Sequence, residues 1–174
     1  MKVNIGPYPE GRDEQQVINV QIEEHDTWSM DLTLAHIIVP MLKQLKETKH
    51  GAPGSLPEFA LTSTGSSQYC FDFYSEEDNA AWEAGHMHWD ELMDKMIWSF
   101  EQVLINWEDQ YWTVKPKIDL DAMLNQKDND SEVNTHPLIW EEHGVCDWIG
   151  VDNHRKKMQE GFDLFGKYFC DLWD

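Results

Sequence analysis

The chain has 174 residues, of which 33 are acidic and 13 basic, giving a formal net charge of −20. An acidic body repels phosphates, which argues against a protein that grips nucleic acid through a basic face. No stretch approaches about 18 uninterrupted apolar residues and the N-terminal MKVNIGPYPEGR has no apolar signal core; the length suits one domain, and the odd, scattered Cys70, Cys146 and Cys170 suit a reducing cytoplasm.

Residues 1–25 read as strands. Val3 and Ile5 alternate with polar neighbours, as do Ile18, Val20 and Ile22, and a stretch rich in Gly and Pro lies between them. An antiparallel pair is expected. Residues 28–50 then read as a helix, with Ser29 as N-cap and Asp31 in the first turn. At about 100° per residue, Leu34, Ile38, Met41, Leu42 and Leu45 share one side and Asp31 projects among them. His36, Lys43 and His50 point the other way. Pro40 removes one backbone donor and is expected to kink the helix, which should end near His50-Gly51.

Residues 57–75 carry Phe59 and Leu61, a Thr-Gly-Ser-Ser turn, and then Tyr69, Phe71 and Phe73 in alternation. This predicts a hairpin able to join the N-terminal strands. A second helix over 79–108 has Trp89, Met93, Met96, Phe100, Val103 and Trp107 on its apolar stripe. Asp90, Asp94, Glu101 and Glu108 fall within about 40° of one another, forming a carboxylate row beside that stripe. Residues 113–153 read as an acidic irregular segment. A last helix over 154–173 carries Met158, Phe162, Phe165, Phe169 and Leu172 on one face, with Gly161 and Gly166 allowing close approach of a neighbour. The expected architecture is a single α+β domain: a small antiparallel sheet packed against about three amphipathic helices.

Charge is unevenly spread. Asp72 to Asp109 holds eleven carboxylates with Lys95 as the one basic residue, and Asp119 to Asp152 holds nine with Lys127 alone. Such blocks suit a well-solvated surface. They also suit a face shaped for a basic partner, including a groove that normally holds phosphates.

Three stretches, VINVQIEEHDTWSMDLTLAHIIVPMLKQLKETKHGAP, HWDELMDKMIWSFEQ and KMQEGFDLFGKYFCDLWD, resemble a family of small proteins encoded by tailed phages. The resemblance implies a protein acting in the cytoplasm of an infected bacterium and brings no reaction with it. Two departures stand out. Leu32 occupies a position where that family carries histidine, and Lys95 one where it carries glutamate.

Two readings of the carboxylates follow. In the first, Asp31, Asp90, Asp94 and Glu101 converge between the two long helices, with His36 or His88 nearby, and hold Mg²⁺ or Mn²⁺ for a metal-dependent nucleotide phosphohydrolase. Leu32 and Lys95 weigh against it, since neither replaces a lost ligand. In the second there is no catalytic residue and no cofactor. Asp31 then lies near the free N–H groups at its own helix start, worth about 0.3–1 kcal/mol at an exposed site. The row of Asp90, Asp94, Glu101 and Glu108, with the acidic 119–152 segment, forms a binding surface for a host protein with a basic groove. Such a protein would act as an anti-defence or anti-CRISPR inhibitor that mimics nucleic acid. A virion component is a further possibility. His86-x-His88 splays apart on a helix and makes a poor zinc pair. Cys70, Cys146 and Cys170 form no C-x-x-C pair, and the chain has no G-x-S-x-G elbow or phosphate-binding glycine loop.

Overall fold

The computed structural model describes residues 1–7, 9–10, 14–60, 76–119 and 140–173. Three helices carry the core: α1 (Met30–Thr48), α3 (Glu76–Val103) and α4 (Trp148–Lys167), with a single turn, α2 (Pro57–Ala60), between the first two. Helix α3 is the central element. Trp89, Leu92, Met93, Met96 and Ile97 recur at helical spacing along it and are buried, together with Leu42 of α1, Leu56 and Tyr168. Among the described residues, no helix is long and apolar enough to cross a membrane.

Both α1 and α4 run antiparallel to α3. Lys43 meets Glu101 while Lys49 meets Asp90, and Trp98 meets His154 while Trp89 meets Tyr168. The crossing of α3 and α4 is close because Gly161 has no side chain. A Cβ there would lie 2.1 Å from Ser99 Oγ and 2.5 Å from the Lys95 carbonyl oxygen. Gly166 has open space instead and permits no close approach, contrary to the expectation from sequence.

The face that α1 buries is rotated from the expected one. Ala35, Val39 and Leu42 are buried, Ile38 and Leu45 pack at the margin, and Leu34 and Met41 are exposed. The helix continues through Pro40, which is exposed, as is His36, whose carbonyl lacks the usual partner four residues on. Ser29 takes the N-cap position without a side-chain cap hydrogen bond; its carbonyl accepts from the Thr33 N–H at 3.1 Å.

Helix boundaries differ from expectation for local reasons. Helix α3 stops at Val103, where Leu104 and Ile105 donate to the carbonyls three residues back and tighten the last turn. A 3-10 turn, Trp107–Tyr111, follows and carries Trp107 off the helix. Helix α4 begins six residues early because the Asp147 side chain accepts from the Gly150 N–H at 3.0 Å, which caps it. It ends at Lys167, and residues Phe169–Asp171 form a 3-10 turn.

The strands form three separate two-stranded antiparallel ladders: β1 (Lys2–Ile5) with β2 (Ile18–Gln21), β3 (Trp112–Val114) with β6 (Val145–Cys146), and β4 (Lys117–Ile118) with β5 (Trp140–Glu142). The α+β class holds and the β1/β2 pair is as expected, but among the described residues the strands form three small ladders rather than one sheet, with Trp112 of β3 edge-on to Trp148 of α4 at 5.6 Å. The described residues of 113–153 are thus partly regular rather than irregular. Residues 57–60 are helical, which overturns the start of the expected hairpin; residues 61–75 lie outside the described residues.

Candidate functional site

The carboxylate row of α3 faces a row of lysines on α1. Lys43 Nζ lies 2.6 Å from Glu101, Lys46 Nζ 2.5 Å from Asp94, and Lys49 Nζ 2.6 Å from Asp90. The lysine spacing of three and the antiparallel course of the helices bring each ammonium to one carboxylate. The fourth member, Glu108, pairs with Arg155 of α4 at 2.7 Å. All four carboxylates expected to meet a partner therefore hold a cation of this chain. Lys95, too, is paired, with Glu160 of α4 at 2.7 Å.

Exposure sets what these pairs contribute. The Asp94, Glu101 and Glu108 side chains are 62 %, 39 % and 52 % exposed. Each pair at that exposure adds about 0.2–1 kcal/mol, screened by salt. Lys49 differs, its side chain being only 10 % exposed, so its stem adds apolar packing between the helices.

Asp31 is not brought to this row. It lies exposed in the first turn of α1, 12 residues before Lys43 and 18 before Lys49. Helical rise separates it from the Glu101 pair by about 18 Å and from the Asp90 pair by about 27 Å along the axis. Asp31, Asp90, Asp94 and Glu101 thus do not form one Mg²⁺ or Mn²⁺ site, and no group of three or more His, Cys, Asp or Glu among the described residues could hold a metal. Leu32 beside Asp31 is also exposed.

Two histidine centres emerge instead, neither visible as a motif. His88 Nδ1 lies 2.8 Å from Glu58 Oε1 of α2, and this hydrogen bond holds the Glu58 carboxyl below the usual range. His154, in the second turn of α4, stacks flat on Trp107, with ring centroids 4.2 Å apart and planes 3° from parallel. Trp98 tilts against it at 5.1 Å, and the Tyr111 hydroxyl lies 3.1 Å from its Nδ1. Its Nε2 is buried without a hydrogen-bond partner. Burial, and then Lys157, push the His154 pKa down, so the folded protein holds the ring neutral. Trp107 was legible as an apolar position, but its role required the turn that ends α3.

The sign of the pH effect at His154 follows. Its unfolded pKa lies near 6.5 and its folded pKa lower, so the unfolded chain takes up the proton first. Stability contributed by the neutral ring is present above that value and declines as pH falls toward the folded pKa. His154→Phe is expected to flatten this part of the acid-side loss, read as a smaller slope of unfolding free energy between neutral and mildly acid pH. An unchanged slope would remove His154 from the account.

A groove of about 700 Å³ opens between α1 and the C-terminal turns, with Ile38, Met41, Leu45, Phe165, Phe169 and Leu172 among its lining. It is apolar, and the Thr48 hydroxyl at its edge is bonded to the Gln44 carbonyl at 2.9 Å. Comparison of the chain with family models, curated proteins and solved structures gives no match.

Proposed function

We propose that this is a phage-encoded accessory protein that binds and inhibits a host protein bearing a basic surface, an anti-defence or anti-CRISPR inhibitor of the nucleic-acid-mimic kind. The carrying observation is how the chain uses its cations. Lys43, Lys46, Lys49, Lys95, Lys115, Arg155 and Lys156 each pair with a carboxylate, and Lys157 and Lys167 lie over aromatic rings. Neutral pairs leave the net charge of −20 on the other carboxylates, including the exposed Glu47, Glu83 and Glu91. A strongly negative field steers basic partners and speeds their encounter.

The surface favoured by this reading combines Glu83 and Glu91 with the accessible oxygens of Asp94, Glu101 and Glu108. At the paired positions a partner guanidinium exchanges with a lysine or arginine of this chain, which lowers the net gain per contact and makes binding sensitive to salt. The resemblance to phage proteins supplies the setting, the cytoplasm of an infected bacterium.

The test is a pull-down from host lysate with the folded chain as bait. One basic protein should be retained at low salt, released at high salt, and lost when Glu83 and Glu91 are both changed to lysine. Recovery of no specific partner at low salt, or retention indifferent to that double change, would sink the reading.

A further inference from the structure

The exposed apolar side chains are not spread evenly. Of the 21 large hydrophobic residues exposed among the described residues, eleven fall within the first 34 positions. The β1/β2 ribbon orders six of them. Its register opposes Val3 to Val20 and Ile5 to Ile18, and directly opposed residues of an antiparallel pair point to the same side. Met1 and Ile22 continue that side by alternation. The opposite side carries Lys2 with Gln21 and Asn4 with Asn19.

The apolar side is open. Val3 is 42 % exposed, Ile5 55 %, Ile18 60 %, Val20 50 % and Ile22 55 %. No residue of the ribbon belongs to the hydrophobic core. A two-stranded ribbon with one uncovered apolar face is marginal in water and gains from a covering layer.

We propose that this face is the surface through which two copies of the chain pair. Charge argues for a second copy. Strands β1 and β2 together contain no carboxylate and one lysine, in a chain whose net charge is −20. Across the exposed Glu47, Glu83 and Glu91 of the helices two copies would set carboxylates against carboxylates; here they meet apolar against apolar. A basic partner has no charge to read on this face. Symmetry is compatible with this, because across a two-fold axis the residues Val3, Ile5, Ile18 and Val20 of one copy meet the same aliphatic set of the other.

Size is adequate. Apolar patches on monomers reach roughly 300–600 Å², and larger ones mark interaction sites. Six aliphatic side chains, from 36 % exposed at Met1 to 60 % at Ile18, make a patch in that range, below the roughly 800 Å² per partner of a stable interface and suited to a weaker, concentration-dependent pairing. The pairing stands apart from the inhibitor reading, since it uses none of the carboxylates assigned to the host partner.

Sedimentation equilibrium of the full chain across the micromolar range tests it. The wild type is expected as a concentration-dependent dimer. Ile18→Lys is expected to weaken dimerisation by at least about 30-fold, because it buries a charge at the centre of the contact. Its helical circular dichroism should be unchanged, the ribbon lying outside the core. Met41→Lys, at an exposed apolar position in the groove beside α4, should leave the dimer intact. A wild type that is monomeric throughout overturns the proposal, as does a dimer that survives Ile18→Lys or is lost equally in Met41→Lys. Should Ile18→Lys prove unfolded, Val20→Ser decides: in the folded chain it should weaken dimerisation by about tenfold, and an unchanged dimer overturns the pairing.

Discussion

Gly161→Ala is expected to lower stability, although alanine normally favours a helix over glycine by about 1 kcal/mol. The reversal comes from the α3–α4 crossing. The new methyl would lie 2.1 Å from Ser99 Oγ, 2.5 Å from the Lys95 carbonyl oxygen and 2.7 Å from Ser99 Cβ. Overpacking of this kind costs about 1–3 kcal/mol or more, and here one obstacle is backbone, which cannot rotate aside. Set against the helix gain of about 1 kcal/mol, a net loss of about 1–2 kcal/mol is expected, or a fall in Tm of about 2–8 °C for a chain of this size. Gly166→Ala, on the same helix, meets nothing within 4 Å and should gain about 0.5–1 kcal/mol. Ser99→Gly in the Gly161→Ala background removes two of the three close contacts and leaves the Lys95 carbonyl, so rescue should be partial. Denaturant unfolding of the variants checks all of this, and equal signs for the two alanines would refute the packing account.

Trp89→Ala should cost more stability than Gly161→Ala. Trp89 is 2 % exposed and meets Tyr168 edge to face at a centroid distance of 5.3 Å. Both belong to the cluster that also includes Leu56 and Leu42, so one indole ties α3 to α4's end and to the chain following α1. Removing a buried Trp costs about 3–5 kcal/mol through lost burial and a cavity. That is a large share of the roughly 5–15 kcal/mol typical of a domain. Trp82, half exposed and tilted against His86, is the comparison. Its replacement by alanine should cost less than about 1 kcal/mol, the worth of a surface ring contact. Guanidinium unfolding followed by far-ultraviolet circular dichroism separates the two, and similar losses would mean that the core is misassigned.

Periodicity carried the parts of the fold that depend on large apolar residues repeating along one element. Trp89, Met93, Met96 and Phe100 all pack in or against the core, and the β1/β2 alternation gave the pairing. It failed where small or charged residues do the packing. Helix α1 buries Ala35 and Val39 and lays Lys46 and Lys49 against α3, while the bulkier Leu34 and Met41 face water. A scan that weights hydrophobic bulk finds Ile38, Leu42 and Leu45 but rotates such a helix partly off its buried face. Its ends failed for a different reason: the cap at Asp147 and the tightened turn after Val103 are hydrogen-bond events that leave a faint trace in composition.

The candidate site was legible as a pattern but not as an arrangement. Asp90, Asp94, Glu101 and Glu108 do form a row, yet their partners lie 41 to 58 residues away in sequence, beyond any rule that compares positions three or four apart. The same gap hid His154, whose aromatic neighbours come from α3 and from the turn after it.

The lysine–carboxylate seam also separates two properties that one composition could seem to merge. The charge of −20 governs what the molecule attracts at long range. The three pairs act locally and select which side of α1 turns toward α3. They do not select its direction, since a reversed α1 would set Lys49 by Glu101 and Lys43 by Asp90, an ammonium against a carboxylate again; direction is left to the packed core and the connections. Exchanging cation for anion within each pair conserves the total and keeps the same sides together, whereas removing carboxylates elsewhere alters the total and leaves the seam alone. Long-range attraction and the facing of the helices can therefore vary independently in this chain.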